Sequence, residues 1–263
     1  MKKALLAGLL CSLSTFAFAQ VAPNAPANLS VEGGSSYTPP ASGGARTVGD
    51  EWFVEDTTRP PNFGWTGRNR SQGSNADDVV YSNFASGGPR NRPYVRQTIR
   101  SNLAEFGDEL YFERLPVVNR VFVRFSWRQN TENQLQKLLI VNPGGTNRGR
   151  TILQNYGWSG GMAMRVAIDG GLQCQTDGAP VGEWQDYQLE ISYSGSWTGY
   201  KLWRNSNDYN NPTCQWQGAV TPLTSSNWVT FSGYHQGNVA SGGTRLVDHA
   251  DVRIGPTFDR NWH

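Results

Sequence analysis

The chain has 263 residues, with 23 Lys and Arg against 21 Asp and Glu. Removal of the expected leader 1–19 takes away Lys2 and Lys3 and no acid, so the mature chain is close to neutral. That excludes nucleic-acid binding or membrane attachment through bulk charge. No stretch after the leader has the ~18 consecutive apolar residues of a spanning helix. Thirty Gly, fourteen Pro and 12% aromatic residues favour a turn-rich β protein over a helical one.

In chain order, residues 1–19 read as a signal peptide: two lysines, an apolar run from Ala4 to Leu10, and the small-x-small site Ala17-Phe18-Ala19. Residues 20–48 are rich in Pro, Gly, Ser, Ala and Asn, and read as a flexible leader or an early strand between loops. From 49 to 263 short runs bounded by Gly, Asn, Pro or Asp predict strands. They are Asp78–Ser82, Tyr94–Arg100, Glu109–Arg114, Arg120–Arg128, Gln136–Val141, Met162–Ile168, Trp184–Tyr193, Gly199–Arg204, Trp228–Tyr234 and Thr244–Ile254. Ser101–Gly107 is expected to hold one short helical turn.

Alternation assigns faces. Val121, Val123, Phe125 and Trp127 share one side of their strand, opposite Phe122, Arg124, Ser126 and Arg128. Met162, Met164, Val166 and Ile168 form a second such row, and Tyr187, Leu189 and Ile191 a third. One apolar face per strand is what two packed antiparallel sheets require, so residues 49–263 predict a single β-sandwich of jelly-roll type. Once Cys11 leaves with the leader, Cys174 and Cys214 remain, and export through an oxidising route predicts a disulfide between them.

Three stretches resemble the concanavalin A-like jelly rolls of lectins, glucanases and polysaccharide lyases. They are Val121–Trp127 followed by Gln136–Val141, Trp184–Glu190 followed by Tyr200–Trp203, and the closing Leu246–Ile254. The glucanases of this superfamily carry Glu-x-Asp-x-x-Glu on one strand. Here Asp108–Glu113 is the nearest segment and lacks that spacing, so retaining hydrolysis by paired carboxylates is not expected.

Two fragments resemble the jelly-roll alginate lyases instead. Arg96-Gln97-Thr98-Ile99-Arg100 is similar to their Arg-x-Glu-x-Arg strand, with Thr98 in place of Glu. Phe231-Ser232-Gly233-Tyr234-His235-Gln236 is similar to their Tyr-Phe-Lys-Ala-Gly-x-Tyr-x-Gln strand, without its Lys. Asn142-Pro143-Gly144 stands where their Gln-x-His motif would fall.

The resemblance implies β-elimination on a uronate polymer, which requires neutralising the sugar carboxylate, removing the C5 proton and protonating the leaving oxygen. Arg96 and Arg100 are the expected carboxylate partners and Tyr234 the acid/base, supplied from a neighbouring strand. His235 is a further candidate if a bulge at Gly233 re-aims it. Tyr94, Gln236, Asn142 and Trp203 are the expected substrate contacts. The excess of Arg over Lys after the leader suits an acidic ligand, because the guanidinium fork matches a carboxylate.

Competing readings are a noncatalytic glycan binder, in which Trp158, Trp197 or Trp203 stacks on sugar rings, and an adhesion or matrix protein of the same fold. Trp127, Trp184 and Trp228 have core-like neighbours. No cofactor is expected; Asp248 and Asp251 are the only hint of a structural Ca²⁺. The expected protein is a secreted or periplasmic monomer whose partner is an extracellular or cell-wall polysaccharide.

Overall fold

The computed structural model describes residues 51–60, 62–70, 79–84, 87–99, 105–129, 135–145, 148–158, 161–236 and 245–262. The expected signal peptide and leader lie outside them. Fifteen strands follow in order: β1 (Phe53–Val54), β2 (Gly67–Arg70), β3 (Val79–Phe84), β4 (Tyr94–Ile99), β5 (Glu105–Glu113), β6 (Arg120–Gln129), β7 (Leu135–Asn142) and β8 (Thr151–Trp158). Then come β9 (Gly161–Ile168), β10 (Gly171–Gln175), β11 (Gln185–Ser192), β12 (Gly199–Arg204), β13 (Cys214–Gln217), β14 (Trp228–Gln236) and β15 (Arg245–Gly255). Among the described residues there is no α-helix, only a 3₁₀ turn at Pro89–Asn91.

All ten expected strands are present. Of the segment 101–107 expected to hold a helical turn, residues 105–107 belong to β5 and 101–104 lie outside the described residues. Five strands carried no clear sequence signal. Most informative is β8, where Ile152 and Leu153 are both buried, one on each face of the sheet, so that no alternation shows.

The strands form two antiparallel sheets. One has the order β13-β12-β11-β6-β15-β4-β3, with β1 also paired to β15; the other runs β10-β9-β8-β7-β14-β5-β2. The alternation read from sequence sets the interface. Val121, Val123 and Phe125 of β6 stand opposite Ile191, Leu189 and Tyr187 of β11, and all six face the core. Across the core come Leu139, Leu153, Val166, Val229 and Phe231 from the second sheet. Phe125 meets Phe231 edge-on at 5.6 Å and stacks on Tyr187 at 5.4 Å.

Cys174 and Cys214 form the expected disulfide. It joins β10 to β13, the terminal strands of the two sheets, and so ties the sandwich together along one side. Closing a loop across a sequence separation of 40 residues stabilises the fold by about 3–4 kcal/mol.

Candidate functional site

Two departures from regular pairing shape the outer face of the seven-stranded sheet. The β7–β8 register shifts between Lys137 and Leu139, and both Leu138 and Leu139 pack in the core. Unbroken alternation from Leu139 would place Lys137 on the core side. The bulge at Leu138 reverses that, and Lys137 is half-buried rather than enclosed. The β14–β7 register shifts between Phe231 and Tyr234, so Tyr234 stands across from Lys137, where regular pairing from Phe231 would have put Gly233.

Across the sheet these shifts align one row, Tyr234–Lys137–Gln154–Arg165–Gln175, contributed by β14, β7, β8, β9 and β10. On the far side of β14 the row continues to Gly107. Gln154 is buried, and the Arg165 Nε donates to Gln175 Oε1 at 2.5 Å. Beside the row lies a small apolar patch on the same face, Ile140, Ile152 and Ala167. The row thus holds two cations and two amides with no carboxylate at any position.

Sequence reasoning missed Lys137, Gln154 and Arg165. The available signal was compositional, since Lys137 and Lys201 are the only lysines beyond the leader. Its face was not readable, because a bulge leaves no mark in an apolar run.

The expected site residues divide between the sheets. Tyr234, His235 and Gln236 lie on β14, opposite Lys137, Gln136 and Leu135. Arg96 lies on β4 of the eight-stranded sheet, whose neighbours are β15 and β3. Tyr234 therefore does not come from a strand beside Arg96, as had been expected: β4 and β14 belong to different layers. Arg100 lies outside the described residues.

Arg96 makes a two-pronged pair with Asp248, Nε to Oδ1 at 2.7 Å and Nη2 to Oδ2 at 2.9 Å. Arg128 donates to the same Oδ2 from Nε and Nη2, at 2.9 and 2.6 Å. The hydrogen bond to Asp248 raises the Arg96 pKa against the opposing effect of burial. Tyr94 is buried under this cluster, edge-on to Trp184 at 5.5 Å and 5.4 Å below the Arg128 guanidinium.

Asn142 is buried, and its Oδ1 accepts the Gly144 backbone N–H at 2.9 Å. Trp203 is fully enclosed, stacked on Tyr209, tilted on Phe258 and donating Nε1–H to the Asp208 carbonyl. Its indole packs under the C-terminal segment instead of offering a face to a sugar. Of the tryptophans whose side chains are described, none is exposed; Trp52, Trp184, Trp197, Trp216 and Trp228 are half-buried. Asp248 and Asp251 both bind arginines, Asp251 taking Arg90 and Arg92. No cluster of three metal-ligating side chains occurs among the described residues.

The two antiparallel sheets form a β-sandwich of jelly-roll type with a polar row on one outer face. No protein-family model matches the chain, and no curated protein sequence matches it. Among solved structures it is similar to the cellulose induced protein Cip1, at 14% identity and TM-score 0.51, over 78% of this chain and 97% of that one. It is also similar to the alginate lyase Aly36B (10% identity, TM-score 0.46, 72% and 86% covered). A GH131 β-glucanase catalytic domain from Podospora anserina gives 17% identity and TM-score 0.41, with 72% and 83% covered. At these identities the likeness establishes the fold alone, and it rests on the first of the three.

Proposed function

We propose that the protein is an exported polysaccharide lyase that cleaves a uronate-containing polymer by β-elimination, on the outer face of its seven-stranded sheet. The observation that carries this reading is the register row Tyr234–Lys137–Gln154–Arg165, which brings a tyrosine, a lysine, a glutamine and an arginine to neighbouring positions on four strands. The disulfide and the signal-like leader favour export.

The chemistry assigns the roles. Arg165 and the Gln154 amide bind the uronate carboxylate and stabilise the charge that develops on it as the C5 proton leaves. As the phenolate, Tyr234 accepts that proton and returns to the neutral phenol. The electron pair of the C5–H bond forms the C4–C5 double bond, and the C4–O bond breaks. Lys137 protonates the departing oxygen. Gln236, two positions further along β14, contacts the adjoining sugar.

The test is an assay of the mature protein on alginate and glucuronan, following ultraviolet absorbance of the unsaturated product. Product that disappears in both Lys137→Ala and Tyr234→Phe supports the assignment. Product that survives in both variants removes these residues from the chemistry. Retention of a polymer without any product would instead make the same row a glycan-binding surface.

A further inference from the structure

The eight-stranded sheet has a gap on one edge of β15. Residues 245–249 of β15 pair with β4, and residues 253–254 pair with β1. Between them a register shift lifts Asp251 out of the ladder. A cleft of about 550 Å³ opens there, walled by the loop after β1, by Arg92 and Pro93 ahead of β4, and by Asp251 and Arg253. A second hollow of about 280 Å³ shares Arg92 and Arg253 with it and adds Arg90 and Trp262.

Its walls are held in costly backbone conformations. Among the described residues seven non-glycine residues have positive φ, and four of them lie on these wall segments: Phe63 (52°), Arg90 (54°), Asn91 (56°) and Asp251 (55°). Such conformations persist only where surrounding contacts over-determine them, and they concentrate at binding sites. The loop after β1 is closed on itself by bonds from Asp56 N to Phe63 O and from Phe63 N to Arg59 O. Phe63 and Trp65 anchor it in the core. It holds Arg59 exposed at the cleft, with no side-chain hydrogen bond among the described residues.

Most carboxylate oxygens nearby are already engaged, the buried Glu55 Oε2 excepted. Asp251 accepts from Arg90 and Arg92, and Glu51 pairs with Arg124 and lies 3.6 Å from Arg253. Glu55 turns inward to His249 and Trp65, while Asp56 Oδ1 is taken by Thr58. Arg59 lies near Asp56 but makes no side-chain hydrogen bond among the described residues, Arg92 donates to Asp251 through Nη1, and the buried Arg253 Nε has no hydrogen-bond partner. Planar donor forks in a cleft of this volume match a carboxylate borne on a sugar ring.

We propose that this cleft is a second, noncatalytic binding site for a carboxylate-bearing oligosaccharide, on the sheet opposite the polar row. The choice of probe rests on the uronate reading above; the site itself does not. The full chain carrying Lys137→Ala, Arg165→Gln and Tyr234→Phe loses both cations of the row and its turnover, so the change in calorimetric titration with an alginate tetrasaccharide on further substitution of the cleft arginines reads the cleft.

Adding Arg59→Gln and Arg92→Gln should weaken that binding at least about tenfold at low salt, the loss expected for charge-assisted hydrogen bonds. Arg59→Gln alone, which keeps the backbone bonds of the loop and removes no side-chain hydrogen bond among the described residues, should give part of the same loss without any change in the urea midpoint. Unchanged affinity in the arginine variants, or no binding to the silenced chain, overturns the proposal. Displacement by an equal concentration of acetate overturns the sugar component and leaves a site for a free carboxylate. Turnover of alginate by the wild type is a separate readout, so failure of the lyase reading is distinguishable from failure of this one.

Discussion

The outer faces of the two sheets use the same kinds of residue for different ends. On the eight-stranded sheet Arg96, Arg124, Arg128 and Lys201 each stand beside an acid. Arg96, Asp248 and Arg128 are consecutive across three strands, and Lys201 stands opposite Glu190. Arg124 is almost fully buried between Glu51 at 2.8 Å and Asp259 at 3.2 Å. Burial pulls its pKa down, while Glu51 and Asp259 push it up. The C-terminal segment lies over this face, with Phe258 on Trp203 and Trp262 beside Arg90.

On the seven-stranded sheet Lys137 and Arg165 share a row with amides and a tyrosine position, and no acid appears in it. Cations balanced within the ladder hold a sheet face together. Cations gathered with amides in one register row present several hydrogen-bond donors on one face. The arginine-rich composition therefore has two meanings here, and only the pairing of strands separates them.

The sharpest way to break this comparison is at Lys137 and Tyr234. Lys137→Ala or Tyr234→Phe should cut lyase turnover by about 10²–10⁴-fold, the usual contribution of a positioned acid or base. The urea unfolding midpoint should barely move. Turnover that persists in both variants would leave the seven-stranded face without its special role.

The converse experiment removes Arg124. Arg124→Ala leaves Glu51 and Asp259 buried opposite an empty position and should cost about 3–5 kcal/mol in urea unfolding. Below that comes the tie between the layers: replacing Cys174 and Cys214 by Ser should cost about 2–4 kcal/mol, read by the same measurement.

A pH titration tests how the layers meet. Burial raises the Tyr200 phenol to about 12, against an ordinary value of 10.0, and its hydroxyl lies 2.9 Å from Thr151 Oγ1. Burial likewise raises Tyr187 and Tyr193. A folded-state pKa above the unfolded one gives stability that is complete below pH 10 and is lost as pH rises through 12. Stability should therefore fall between pH 10 and 12, with Tyr200 contributing on the order of 2–3 kcal/mol. Tyr200→Phe should flatten part of that slope. The smallest effect is expected at Arg96, where Arg96→Gln should lower stability by about 1–2 kcal/mol and leave turnover intact. Loss of turnover there would move the chemistry back to the eight-stranded sheet.

Much of the architecture was determined by sequence alone. A period of two in β6, β9 and β11 marked the core-facing side of each strand, and Val121, Val123, Phe125, Met164, Val166, Tyr187, Leu189 and Ile191 all reach the core, while the opposite faces of β6 and β11 are buried as well. Two cysteines in a chain with a secretory-type leader were enough to predict their pairing.

Tertiary structure decided the rest, because alternation is a local property and strand partnership is not. Nothing near Arg96 or Tyr234 in the chain specifies that β4 joins β15 while β14 joins β5 and β7. Those choices depend on residues far apart in the chain finding complementary faces. The faces of Lys137 and Tyr234 depend further on two single-residue shifts, at Leu138 and at Ser232–Gly233, each inside a run that otherwise reads as continuous strand. One extra residue reverses every later side of a strand, so the row could be assembled only once both registers were known.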